Sequence, residues 1–133
     1  GEMPQQPLIL VVGVCASGKT TLSSGLRELG YHVRSFAQEH SVSGRLWRRF
    51  EPDILILLNC SYETIKQRKQ ISWGPKRYQE QLKLLANARE HATLIVQTDG
   101  FTPEELVEYV QGKLLELGVE PQKRRTSFDG EAE

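Results

Sequence analysis

The most chemically informative part of the sequence is a loop near its N-terminus. Gly13 is followed, after four residues, by Gly18, Lys19 and Thr20. Glycines let the backbone curl without a Cβ clash, so several N–H groups point inward and form a nest for an anion. The lysine ammonium suits the β- and γ-phosphates of a nucleotide, and the threonine hydroxyl suits Mg2+. The spacing therefore predicts a phosphate loop (residues 13–20).

The residues on either side of the phosphate loop support this prediction. An apolar run over residues 8–12 predicts a buried strand, and leucines recur at helical spacing from Leu22 onward. A helix that begins at residue 18 turns its unpaired N–H groups and positive dipole end toward a phosphate. The expected nucleotide contacts are Gly13, Ala16, Ser17, Gly18, Lys19, Thr20 and Thr21, with Thr20 as the Mg2+ ligand. ATP is the expected nucleotide, and GTP stays open because no guanine-reading motif decides between them.

Strand and helix patterns alternate along the rest of the chain. Further strands are predicted over residues 31–37, 54–58 and 93–97, and further helices over 62–72, 76–91 and 102–117. The last helix carries a capping box, with Thr102 as N-cap and Glu105 three residues later. This alternation predicts a three-layer α/β/α fold with a mostly parallel sheet of four or five strands. We expect one domain over residues 8–118, between a flexible N-terminus (1–7) and a flexible C-terminal tail (119–133).

Composition restricts the partners. The chain has 133 residues, with 17 basic and 17 acidic side chains and a formal net charge of zero. No global field therefore attracts nucleic acid or an anionic membrane, and we expect neither as a partner. The longest apolar run is too short to span a bilayer. Two cysteines, Cys15 and Cys60, indicate free thiols in a reducing compartment, so we expect a cytoplasmic protein.

Candidate catalytic residues follow from position and charge. Glu39 comes after the second predicted strand, at the edge where open α/β sheets bind ligands. It is either a base or metal-water residue, or a surface carboxylate. A basic segment (residues 66–77) surrounds a break at residues 73–75, and such a segment suits a lid that brings cations onto a migrating phosphoryl group. Arg68 and Arg77 are its expected participants, because a planar guanidinium fits phosphate oxygens. The alternative is a solvated helix face.

Other residues with possible functional roles also have structural interpretations. Asp99 either contacts the nucleotide base or caps the turn at Gly100, and we favour the turn. Trp47, among three arginines, either stacks on an acceptor or anchors a helix to the core, and we favour the core. Cys15 is expected to be a packed small residue. Residues 124–127 resemble a basic-directed phosphorylation site, although a solvated terminus is the simpler interpretation.

The loop resembles that of P-loop kinases that phosphorylate small molecules, the nucleoside and nucleotide kinase group. Residues 52–64 are similar to the strand before the lid in thymidylate-kinase-like proteins, where a basic residue follows as Arg68 does here. Residues 36–40, with Glu39, resemble the acidic end of the second strand in nicotinamide-riboside-kinase-like ATPases. The chain departs from this pattern at Asn59, where an Asp is common, and in its short interval over residues 40–51.

The resemblance implies ATP- and Mg2+-dependent phosphoryl transfer to a small acceptor, with Lys19, Glu39, Arg68 and Arg77 as catalytic residues. The departures keep an alternative open, in which the chain is a nucleotide-binding regulatory or assembly module with weak hydrolysis or none. Self-association that completes the site also stays open.

Overall fold

The computed structural model describes residues 6–122, which form a parallel sheet with helices on both faces. In chain order the elements are β1 (Leu8–Gly13), α1 (Lys19–Leu29), β2 (His32–Ser35), two 3-10 turns (Gln38–His40 and Leu46–Phe50), β3 (Ile54–Asn59), α2 (Tyr62–Arg68), α3 (Pro75–Leu84), α4 (Ala86–His91), β4 (Leu94–Gln97) and α5 (Pro103–Glu116). The four strands have the order β2-β1-β3-β4. Over this described range, no helix combines the length and hydropathy that a membrane span requires.

Side chains of the central strands alternate between two apolar cores. Ile9 and Val11 of β1 pack in one core, formed with α1 and α5, while Leu10 and Val12 pack in a second core on the opposite face. The second core includes Trp47, so this ring anchors its 3-10 turn to the sheet, as the favoured interpretation expected. Burial of both strand faces explains the continuous apolar runs of β1 and β3. The predicted α/β/α layers are therefore present, with four strands.

The packed chain continues past the expected domain boundary at Gly118. Val119 is buried in the core, and its carbonyl accepts a hydrogen bond from the Tyr31 hydroxyl at 3.2 Å. The N–H of Gln122 donates to the carbonyl of Gly30 at 3.0 Å. Because an apolar side chain follows the helix stop, residues 119–122 pack back onto the domain. Residues 1–5 and 123–133, including the candidate phosphorylation site, lie outside the described residues.

Two predicted helices are wrong in extent. The helix expected over residues 62–72 ends at Arg68, because Lys69 adopts an extended backbone. The helix expected over 76–91 is two helices, separated at Leu85. There the carbonyl of Leu84 accepts a hydrogen bond from the buried Gln38 amide at 3.0 Å, so a tertiary contact competes with the helical ladder. The predicted caps at Ser61 and Thr102 are confirmed.

Candidate functional site

The phosphate loop lies at the carboxyl edge of the sheet, directly after β1. A Cβ at Gly13 would lie 2.3 Å from the carbonyl oxygen of Leu58 and 2.7 Å from the Ser17 Oγ, so only glycine fits between them. Ala16 and Gly18 have φ angles of 62° and 109°, in the left-handed region. These two residues turn the backbone into the N-terminus of α1, which begins at Lys19. The loop therefore has the curled backbone that an anion-binding nest of N–H groups requires.

A cavity of about 700 Å³ opens over the phosphate loop. Every expected nucleotide-contact residue except Gly13 lines it. The other lining residues come from the 3-10 turn after β2, from the end of α2 and from the segment after β4. The complete lining is Cys15, Ala16, Ser17, Gly18, Lys19, Thr20, Thr21, Glu39, His40, Arg68, Lys69, Thr98, Phe101, Thr102, Pro103 and Leu106.

The Lys19 ammonium is held by three acceptors. It donates to the carbonyl of Gly13 at 2.9 Å, to the carbonyl of Val14 at 3.1 Å and to the Glu39 Oε2 at 2.8 Å. A lysine ammonium has three donors, so these contacts use all of them. Lys19 must exchange at least one of these partners before it donates to a phosphate.

Glu39 is the carboxylate of this cavity. Its side chain is 3% exposed, and its Oε2 is shared by Lys19 and by the His40 Nε2 at 3.6 Å. Its Oε1 is buried and has no hydrogen-bond partner among the described residues. The neighbouring Gln38 is fully buried and bonds to the backbone of Trp47 and Leu84, which fixes the turn that carries Glu39. Of the two interpretations of Glu39, the surface carboxylate is therefore excluded by burial.

The structure separates the two arginines of the basic segment. The Arg68 Nη1 donates to the carbonyl of Ala16 at 2.9 Å and to the Thr98 Oγ1 at 3.2 Å, at the wall of the cavity. Arg77 is absent from the lining and pairs with Glu80, 3.8 Å away on the exposed face of α3. The structure therefore places Arg68 at the cavity wall and Arg77 outside the lining, because α3 begins only at Pro75 and directs Arg77 outward.

Gln81, which the sequence analysis did not single out, also holds the loop. Gln81 is 1% exposed, and its Oε1 accepts a hydrogen bond from the N–H of Cys15 at 2.9 Å. Lys69 approaches the same residue, with its Nζ 3.7 Å from the Cys15 Sγ. Together with Arg68, these side chains of α2, α3 and their connection hold residues 15 and 16. No local pattern marks Gln81, since it occupies an ordinary position on an amphipathic helix.

Thr98 fixes the loop from the other side. It is 1% exposed, and its hydroxyl donates to the carbonyl of Ser17 at 2.8 Å. Thr98 follows β4 directly, so the only sequence signal for it is its place at the carboxyl edge of the sheet.

Asp99 supports the start of α2, which differs from the favoured prediction that it caps the turn at Gly100. It accepts hydrogen bonds from the Ser61 N–H at 2.9 Å and from the Thr64 hydroxyl, both at the start of α2. Burial raises the pKa of Asp99, but the hydrogen bonds from Thr64, Ser61 and Gln97 outweigh it and hold this pKa well below its usual range. Asp53, at the opposite end of the sheet, accepts from the Leu8 N–H at 2.7 Å.

The two cysteines are buried beside the loop as free thiols. Burial raises the pKa of the Cys60 thiol to about 11, although the nearby Arg68 acts in the opposite direction. Cys60 is therefore protonated at neutral pH, and a protonated buried thiol is a poor nucleophile. Cys15 has its N–H and its sulfur in contact with Gln81 and Lys69, which agrees with a packed residue.

The polar groups of the cavity fit a nucleotide-bound Mg2+. The described residues contain no cluster of three or more carboxylate, imidazole or thiol groups, so a metal held by protein side chains alone finds no site in this range. Mg2+ takes few protein ligands and completes its shell with water and phosphate oxygens. The Thr20 hydroxyl and the unpartnered Oε1 of Glu39 supply the kind of oxygen that this shell requires.

Comparison with known proteins agrees with this architecture. No protein-family model matches the sequence. A protein of Archaeoglobus fulgidus described as a "Putative adenylate kinase" is 25% identical over an alignment of 142 positions, gaps included, that spans 78% of this chain and 80% of that protein. The unliganded crystal structure of a sugar kinase from Janibacter sp. has a TM-score of 0.60 over 87% of this chain and 96% of its own, at 19% identity. The predicted P-loop NTPase fold is confirmed, and the chain resembles small-molecule kinases in fold and, distantly, in sequence.

Proposed function

We propose that this chain binds Mg-ATP on the phosphate loop and transfers the γ-phosphoryl group to a small-molecule acceptor. One observation carries the proposal: a single cavity is lined by the phosphate loop, by the buried carboxylate of Glu39 and by the cations Arg68 and Lys69. The kinase descriptions of both relatives support the same general class of reaction.

Lys19 would grip the β- and γ-phosphates. Its ammonium already lies inside the curl of the loop, within 3.1 Å of two loop carbonyls. When a phosphate replaces the Glu39 carboxylate, the ammonium keeps a negatively charged partner. Glu39 then becomes available as the base or metal-water residue. The backbone N–H groups at the start of α1 also favour phosphate binding, because the positive end of the helix dipole lies there. Thr20 would hold Mg2+, which would neutralise the negative charge that develops during transfer.

Arg68 would stabilise the charge that spreads over the migrating phosphoryl group. Its bond to the carbonyl of Ala16 keeps the guanidinium beside the loop without a lid movement. A cation preorganised in this way costs no reorganisation when the reaction occurs, and such electrostatic stabilisation is often the largest single contribution to catalysis. Lys69 is a second cation of the same wall.

A regulatory or assembly module remains the second candidate. The outward position of Arg77 and the use of Arg68 donors by protein oxygens favour it, because both reduce the cations available for transfer. In such a module, Mg-ATP would bind and no acceptor would consume it.

Formation of ADP distinguishes the two candidates. ADP release from Mg-ATP should be measured alone and with uncharged and phosphorylated small molecules, with Lys19→Ala as the blank. Acceptor-dependent release that the blank lacks establishes the phosphotransferase. Binding of Mg-ATP without acceptor-dependent release establishes the module.

A further inference from the structure

We infer that the acceptor is an uncharged hydroxyl compound, of the sugar, polyol or nucleoside kind, and not a phosphate ester. This inference rests on the proposed function and narrows it to one substrate class. Two independent observations support it: the net charge of the cavity, and the hydrogen-bond donors that are available to Glu39.

The charge of the described cavity is balanced by the nucleotide alone. Three permanent cations line it, Lys19, Arg68 and Lys69, against one carboxylate, Glu39, which leaves a net positive charge of two. The complex of Mg2+ with ionised ATP carries about two net negative charges. A phosphate ester adds roughly another −1.5 to −2 charges at neutral pH, and no lining cation remains for them. An acceptor without charge leaves the filled cavity neutral.

The hydrogen bonds of Glu39 require a donor. When Lys19 moves onto the phosphates, the carboxylate loses its partner at 2.8 Å, and only His40 remains, 3.6 Å from Oε2. Its Oε1 already lacks a partner among the described residues. A buried carboxylate without partners is strongly destabilised, because its charge is neither solvated nor paired. The water shell of Mg2+ would satisfy Oε1, and an acceptor hydroxyl supplies the donor that Oε2 loses, whereas a phosphate ester adds an anion beside it.

The contact between the acceptor hydroxyl and the Glu39 carboxylate also identifies the group that takes the hydroxyl proton. The acceptor oxygen bonds to the γ-phosphorus as the bond from that phosphorus to the β,γ-bridging oxygen breaks, and ADP leaves with the electron pair of that bond. The hydroxyl proton passes to the Glu39 carboxylate. Glu39 then acts as the general base, while Lys19 and Arg68 stabilise the phosphoryl charge.

Matched pairs of acceptors test the inference. Transfer from γ-labelled ATP should be measured to adenosine and AMP, and to ribose, glucose and glycerol, each beside its phosphate monoester. We expect an uncharged member to be phosphorylated at least about tenfold faster than its charged partner, because like charges placed together cost several kcal/mol. Faster transfer to AMP or to any other monoester overturns the inference and leaves the phosphotransferase intact. If no member of any pair is phosphorylated while Mg-ATP still binds, the proposed function itself fails.

A charge variant adds a second readout. Glu39→Gln removes the base and one negative charge, so transfer to the uncharged acceptor should fall by about 100-fold or more. Inhibition by the matched phosphate monoester should become stronger, because the cavity gains net positive charge. Glu80→Gln removes a carboxylate from the exposed face of α3 and serves as the control. Monoester inhibition that is unchanged in Glu39→Gln contradicts the charge balance.

Discussion

The buried carboxylate of Glu39 and the partly buried ammonium of Lys19 form an ion pair at 2.8 Å, at the centre of the candidate site. The pair joins the phosphate loop to the turn after β2, which are 20 residues apart in the chain. Under the proposed function, Lys19 exchanges this carboxylate for a phosphate, and Glu39 then needs a new hydrogen-bond donor. In that case the pair couples nucleotide binding to readiness for an acceptor.

The first prediction concerns this competition. Glu39→Gln should tighten the binding of Mg-ATP by about three- to tenfold, because the amide oxygen accepts from Lys19 by a neutral hydrogen bond that is roughly 1 kcal/mol weaker than the bond to a carboxylate. Calorimetric titration of the folded variant measures the change, with Glu80→Gln as the control. Weaker ATP binding in Glu39→Gln would show that the carboxylate assists the nucleotide and does not compete with it.

The second prediction concerns Gln81. Gln81→Leu leaves the buried N–H of Cys15 without an acceptor and should lower the free energy of unfolding by about 1–3 kcal/mol. The freed loop should also bind ADP more weakly, while Gln81→Glu, which retains an acceptor oxygen, should restore part of the affinity. Gln79→Leu, on the exposed part of α3, is the matched control. An unchanged ADP affinity in Gln81→Leu would restrict Gln81 to a structural role.

The third prediction separates the two arginines. Arg68→Ala removes hydrogen bonds to Ala16 and Thr98 and a cation of the cavity wall, so acceptor-dependent turnover should fall by about 100-fold. Arg77→Ala loses an exposed pair with Glu80, and both its stability and its turnover should stay close to those of the parent. Initial rates and thermal unfolding measure both variants. Equal loss of turnover in the two variants would place Arg77 in the site during the reaction.

The fourth prediction is a pH dependence at Asp99. Its pKa in the folded protein is depressed, so it contributes stability above the unfolded value of about 3.9 and loses that stability as the pH falls toward the native value. Asp99→Asn should therefore lower the free energy of unfolding at neutral pH, and the difference from the parent should shrink below about pH 4. Urea unfolding at a series of pH values measures it. A difference that is independent of pH would assign the effect to lost packing.

Local patterns were enough to predict the curled loop at residues 13–20 and the strand ends around it. The loop is a contiguous motif, and Glu39 follows a strand whose carboxyl end must reach the ligand edge of a parallel sheet. Gln81 and Thr98 were missed because their partners, Cys15 and Ser17, are 66 and 81 residues away in the chain. The outward position of Arg77 has a related reason. Composition identifies a basic segment, but the residue at which α3 starts determines which of its side chains face the cavity.

Nucleotide binding by the phosphate loop is the central claim, and calorimetric titration of ATP, ADP and AMP in the presence of Mg2+ tests it most directly. We expect ATP and ADP to bind the parent, AMP to bind much more weakly, and Lys19→Ala to lose at least about tenfold in ATP affinity, which corresponds to roughly 1.4 kcal/mol. Equal affinities for the three nucleotides, or undiminished ATP binding in Lys19→Ala, would contradict a phosphate-binding role for residues 13–20.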